Sequence, residues 1–100
     1  IIAKKELLHG YHGGEFETSI MLHLHPELIK INKIKKSNLS SDVNSKKIIS
    51  YEKTIKRAWN TKDLSKTGII GNPTNSSADK GKKILDITSR TLKKIIDEMK

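Results

Sequence analysis

Apolar residues recur along this chain in two helical stripes separated by long polar stretches. Phe16, Ile20 and Leu24 are spaced by four, and Met21 and Leu28 widen the stripe. That spacing matches one face of an α-helix. It predicts a helix beginning near Gly14 or Glu15 and ending or kinking at Pro26, since His25 before the proline is biased away from helical angles. Glu15 and Glu17 fall in the first turn, where carboxylates complement the helix dipole. The second stripe is the clearer one: Ile84, Leu85, Thr88, Leu92, Ile95, Ile96 and Met99. Ser76 with Asp79 three residues on reads as its capping box, and the helix is expected to run to about Met99. Its apolar face must pack on something, most simply a sheet.

The remaining stretches are less periodic. Residues 1–8, IIAKKELL, place two apolar pairs around a charged centre and predict a short strand leading into the Gly-rich turn at 10–14. Residues 27–34 read as a short irregular or helical piece. Residues 35–47 are Ser/Asn-rich and read as a surface loop. The segment 48–59 fits a helix through Ile48, Tyr51 and Ile55, or a strand through its β-branched and aromatic content; we read a strand near 55–59. Gly68, Gly71 and Pro73 punctuate 60–75 as a tight loop.

Composition narrows the class. Hydrophobic residues are 34% of the 100 and aromatics 4%, lean for a self-sufficient core in a chain this short. The sequence begins Ile-Ile rather than with Met and ends in the charged last turn of a helix, so residues 1–100 are expected to be the C-terminal part of a single domain whose N-terminal part lies outside them. There is no cysteine, hence no disulfide framework or thiolate metal site. No apolar run approaches the roughly 20 residues that span a bilayer. No membrane partner and a cytoplasmic location are expected.

The net charge of +9 raises a nucleic-acid patch as one reading. Lys scattered over solvated faces is the plainer one. Arg57 and Arg90 are the only arginines, and no aromatic interleaves with the lysines to stack bases. No nucleic-acid partner is expected.

Candidate chemistry concentrates in His9–Ser19, HGYHGGEFETS. It is the one place where Gly, His and carboxylates crowd beside a helical pattern. A carboxylate near a helix N-terminus is conformationally fixed, as a metal ligand must be. A nearby imidazole can move a proton near neutral pH. Glu17 suits the ligand role and His12 the proton role, with Gly13 and Gly14 supplying the turn that aims both into one cleft. A capped helix start that happens to hold a His is the competing reading of the same residues. Trp59 and Phe16 read as core or interface anchors.

Two separated motifs carry a resemblance. His12-Gly13-Gly14-Glu15-Phe16-Glu17-Thr18-Ser19-Ile20-Met21-Leu22, followed by His25-Pro26-Glu27-Leu28, resembles the C-terminal signature of the creatininase (creatinine amidohydrolase) family, H-[AG]-G-x-x-E-T-S-x-M-L and then Pro-acidic-Leu. After Trp59, Thr67-Gly68-Ile69-Ile70-Gly71-Asn72-Pro73-Thr74 and Ala78-Asp79-Lys80-Gly81 are similar to that family's T-G-V-I-G-D-P-T run and A-x-E-K-G helix start.

The resemblance implies an α/β fold, here the C-terminal fragment of a three-layer α/β/α creatininase-like domain ending in a long amphipathic helix. It implies a metal-dependent amidohydrolase that cleaves a C–N amide bond, of a creatinine-like cyclic amide or a formamide, with a dinuclear Zn or Mn centre. A small-molecule amide substrate and a homo-oligomer, typically a hexamer, come with it. By position Glu17 matches the metal-binding Glu and His12 the catalytic His. Gly13, Gly14 and Tyr11 form the turn on the substrate side. Tyr11 and Leu8 stand where creatininase itself has an acidic and an aromatic residue, which speaks against creatinine as substrate. A formylaminopyrimidine-nucleotide deformylase is compatible. The family's other metal ligands lie in two earlier motifs that this chain lacks, so the fragment alone is expected to be inactive. A non-catalytic basic binding module and a degenerate family subunit are the alternatives.

Overall fold

A computed structural model describes residues 1–37, 55–56 and 58–100. Four α-helices are present among them: α1 (Lys4–His9), α2 (Glu15–Leu24), α3 (Thr61–Leu64) and α4 (Ala78–Glu98). Three 3-10 turns, Pro26–Leu28, Ile31–Lys33 and Pro73–Asn75, complete the regular structure. No strand forms among the described residues, and His12 pairs with Ile70 as an isolated antiparallel bridge. Among the described residues, the expected α/β layering is thus represented by helices and isolated bridge pairing. Most of the loop expected at 35–47 lies outside the described residues, as does much of 48–59.

The expected strand at 1–8 is instead helix α1. Lys, Glu and Leu are good helix formers, and no β-branched residue occurs between Ala3 and Gly10. The two apolar pairs suggested alternation, yet local propensity favours the helix. The described residues of 55–59 form no strand either; Ile55 is a bridge residue only.

The helix expected after the glycine turn is α2, and it stops before Pro26 as predicted. Its buried side chains differ from the expected stripe. Phe16 and Leu24 are exposed, whereas Glu15 and Ser19, four apart, are buried. Phe16 and Trp59 are both too exposed to anchor a core.

Helix α4 matches the predicted span, with its cap one residue later than expected. The Ser77 side chain accepts from Lys80 N at 3.2 Å. The principal packing is α2 against α4. Ten residues of α2 cover about 15 Å and twenty-one of α4 about 30 Å. The shorter helix therefore shields only the first half of the longer one. Ile84 is buried, while Leu92, Ile95, Ile96 and Met99 stay exposed, so the sheet expected over this face has no counterpart among the described residues. The small core consists of Leu64, Ile70 and Ile84.

Candidate active site

The loop His12–Gly14 is built where two glycine turns meet. Tyr11 N and His12 N both donate to Ile70 O, at 2.8 and 3.2 Å, and Ile70 N returns a bond to His12 O at 2.8 Å. His12 is thereby fixed through its backbone while its side chain remains exposed. Gly13 then turns with φ 62°, a left-handed conformation that disfavours other residues. Gly71 opposes it with φ 153°, and a Cβ on Gly71 would lie 3.0 Å from the Gly14 Cα. The two turns touch backbone to backbone.

Glu17 folds back over this turn. Its Oε2 accepts a short hydrogen bond from Gly13 N, the residue next to His12, and Thr18 Oγ1 donates to Gly13 O at 3.2 Å. The sequence reading aimed Glu17 and His12 into one cleft; the structure places the Glu17 carboxylate on the backbone amide beside His12. Glu17, Tyr11 and Gly14 line a depression of about 340 Å³, together with Glu6, Leu7 and Phe16; His12 lies outside that lining. Tyr11 also meets Trp59, their ring centroids 6.1 Å apart and tilted by 56°.

Glu15 anchors the assembly. Its side chain is only 3% exposed, and its carboxylate pairs with Lys80 Nζ, which also donates to Asn75 O at 2.8 Å. A buried charge needs such a partner. The Glu15 amide donates to Glu6 Oε1 and its carbonyl accepts from Ser76 Oγ at 3.3 Å. Ser19, fully buried, accepts from Ser77 N at 3.2 Å. Ile70, Gly71, Lys80 and Gly81 of the second motif thus meet the first through backbone bonds, close approach and a charge pair.

Sequence reasoning missed Glu6, and it named Glu15, Ser19, Asn72 and Lys80 within the two motifs without assigning them these contacts. None lies on a periodic apolar stripe, and their bonds join positions up to 66 residues apart. The Glu15-to-Lys80 charge pairing alone had a signal, two opposite charges at the starts of the two predicted helices.

A zinc or manganese centre needs several donors from carboxylates or imidazoles. Among the described residues no group of three or more His, Cys, Asp or Glu is placed to hold an ion. Glu17 and His12 supply suitable donor types on one turn, a share of such a set and not the whole of it.

The arrangement defines a braced turn that presents one imidazole and one carboxylate at a helix start. The family model for creatininase, described as creatinine amidohydrolase, matches residues 2–96. The chain belongs to the creatininase family. Its structure is similar to a crystal structure of a protein provisionally assigned as a creatinine amidohydrolase from Bacteroides fragilis NCTC 9343, with a TM-score of 0.65 and 23% identity. The match covers 97% of this chain and 39% of that one, so the chain spans well under half the length of that protein. A search of curated proteins finds no match. No helix among the described residues is long and apolar enough to cross a membrane.

Proposed function

We propose that this chain supplies one wall of a metal-dependent amidohydrolase site, with Glu17 as a metal ligand and His12 as the proton-transfer group. The observation that carries the reading is the contact between Glu17 Oε2 and Gly13 N. It holds a carboxylate directly over the loop that carries His12. Among the described residues, no hydrogen bond engages Oε1.

In such enzymes a divalent metal, when bound, lowers the pKa of a water so that hydroxide is available near neutral pH. Glu17 would help hold it, with the remaining ligands coming from family motifs outside these residues. His12 would take a proton from the attacking water's side of the reaction and deliver it to the leaving nitrogen. Gly13 and Gly14 give the turn its shape, and Tyr11 borders the depression beside it. The substrate class is a small amide, cyclic or formyl. A dinuclear zinc or manganese centre and a homo-oligomer belong to the same proposal.

The test uses the full-length protein, assayed against cyclic amides and formamides with zinc, with manganese and after chelation. Metal-dependent release of amine that E17Q abolishes supports the reading. Hydrolysis that survives both chelation and E17Q overturns it.

A further inference from the structure

Glu6 is an acidic side chain at this turn that neither proposed role uses. Its Oε1 accepts from Glu15 N at 2.9 Å, and its Oε2 accepts from Asn72 N at 2.9 Å. Glu15 is the first residue of α2, and Asn72 directly follows the Gly71 turn. A single carboxylate therefore ties together the two motifs whose contact shapes the His12 loop.

The surroundings are cut to that carboxylate. A Cβ on Gly14 would stand 1.8 Å from Glu6 Oε1, and one on Gly71 or on Gly10 would stand 2.5 Å from it. Gly14 has an ordinary negative φ of −82°, so its lack of a side chain answers to space and not to backbone strain. An ionised carboxylate offers two acceptor oxygens, while a carboxamide offers one acceptor and a donor. Two amides arriving from opposite segments therefore need Glu here, and Gln would set N–H against N–H. With both oxygens facing amide hydrogens, Glu6 is poorly placed to ligate a cation.

We propose that Glu6 is a positioning residue: its carboxylate fixes the distance between the Gly13–Gly14 turn and the Gly71–Asn72 turn, and so fixes where His12 and Glu17 stand. The proposal rests on the reading of Glu17 and His12 given above. It differs from a general role in folding, because the α2–α4 contact at Ser19, Ser77 and Gly81 makes no use of Glu6.

The experiment uses the full-length protein, with E6Q, E6A, G14A, the double variant E6A/G14A and the control E17Q. Hydrogen–deuterium exchange is followed by segment, and cobalt(II) serves as a spectroscopic probe of metal binding. E6Q is expected to speed exchange about tenfold in segments 10–17 and 69–75, the scale of one lost charge-assisted hydrogen bond, and to leave 77–85 unchanged. It should also weaken cobalt binding about tenfold. G14A should reproduce both effects, and E6A/G14A should be no worse than E6A alone, since the clash needs both side chains.

Unchanged exchange at 10–17 and 69–75 in E6Q overturns the proposal, as does equal loss of protection at 77–85. Cobalt binding weakened by E17Q but untouched by E6Q sinks the positioning role alone. Cobalt binding indifferent to E17Q sinks the metal reading on which it rests, even where the exchange pattern follows Glu6.

Discussion

Gly81 of α4 lies directly against the backbone of Ser19 in α2, so close that a Cβ at Gly81 would sit 1.9 Å from the Ser19 carbonyl oxygen. Backbone cannot swing aside as a side-chain end can. Glycine inside a helix is unfavourable by about 1 kcal/mol relative to alanine, yet here the helix contact requires it. Gly81→Ala should therefore destabilise the protein by about 3 kcal/mol despite the better helix propensity, measured by urea unfolding. A neutral or stabilising effect would mean that the two helices do not approach this closely.

Lys80 and Glu15 offer a second stability prediction. Glu15 is buried and Lys80 is 29% exposed at its side chain. Removing one partner of a buried pair costs about 3–5 kcal/mol, and the partial exposure of Lys80 lowers the expectation to about 2 kcal/mol for Lys80→Met. Adding Glu15→Gln should recover part of the loss, because the stranded charge is gone. A double-mutant cycle in denaturant measures the coupling.

Acid should weaken α4. Lys83 bonds to and attracts Asp79, and Lys82 does the same to Asp86, holding both carboxyls below the usual carboxylate range. A carboxyl depressed on folding contributes stability above its unfolded pKa, and that contribution is lost as pH falls through the lower folded value. Helicity followed by circular dichroism should thus hold steady down to about pH 4 and decline below it. Both groups are exposed, so 1 M salt should blunt the effect. A decline centred near pH 6 would point to histidine instead.

Substitution of the proposed proton-transfer group should separate it from the ligand. His12→Asn should lower kcat by about 100- to 10,000-fold with metal content retained. Glu17→Gln should lower metal content as well as rate. Atomic emission analysis of the purified variants distinguishes the two. Equal metal loss in both would assign His12 to the metal.

The parts of this structure that were legible in the sequence are those set by local rules. The glycine pair and Pro26 bound α2, and the long apolar repeat marks α4. The two motifs carried the family. Where contacts depend on distant partners, periodicity misled. Phe16 and Leu24 keep helical spacing yet lie exposed, because α2 turns its polar Glu15 and Ser19 edge towards α4. Leu92, Ile95 and Ile96 keep theirs beyond the reach of α2. Glu6 had no signal at all: within KKELL it looks like any solvated helix residue, and only Asn72, 66 positions later, reveals its second bond. The helix at 4–9 was misread because a handful of residues fits either period.

On the proposed reading, the paired motifs hold Glu17 and His12 on one braced turn so that Glu17 reaches a metal. Anomalous diffraction at the zinc edge, from crystals of the full-length protein grown with zinc, tests it directly. An anomalous peak is expected about 2.0–2.2 Å from a Glu17 carboxylate oxygen, with the His12 ring facing the same cleft. A zinc peak bound elsewhere, with Glu17 still folded onto Gly13 alone, would contradict it.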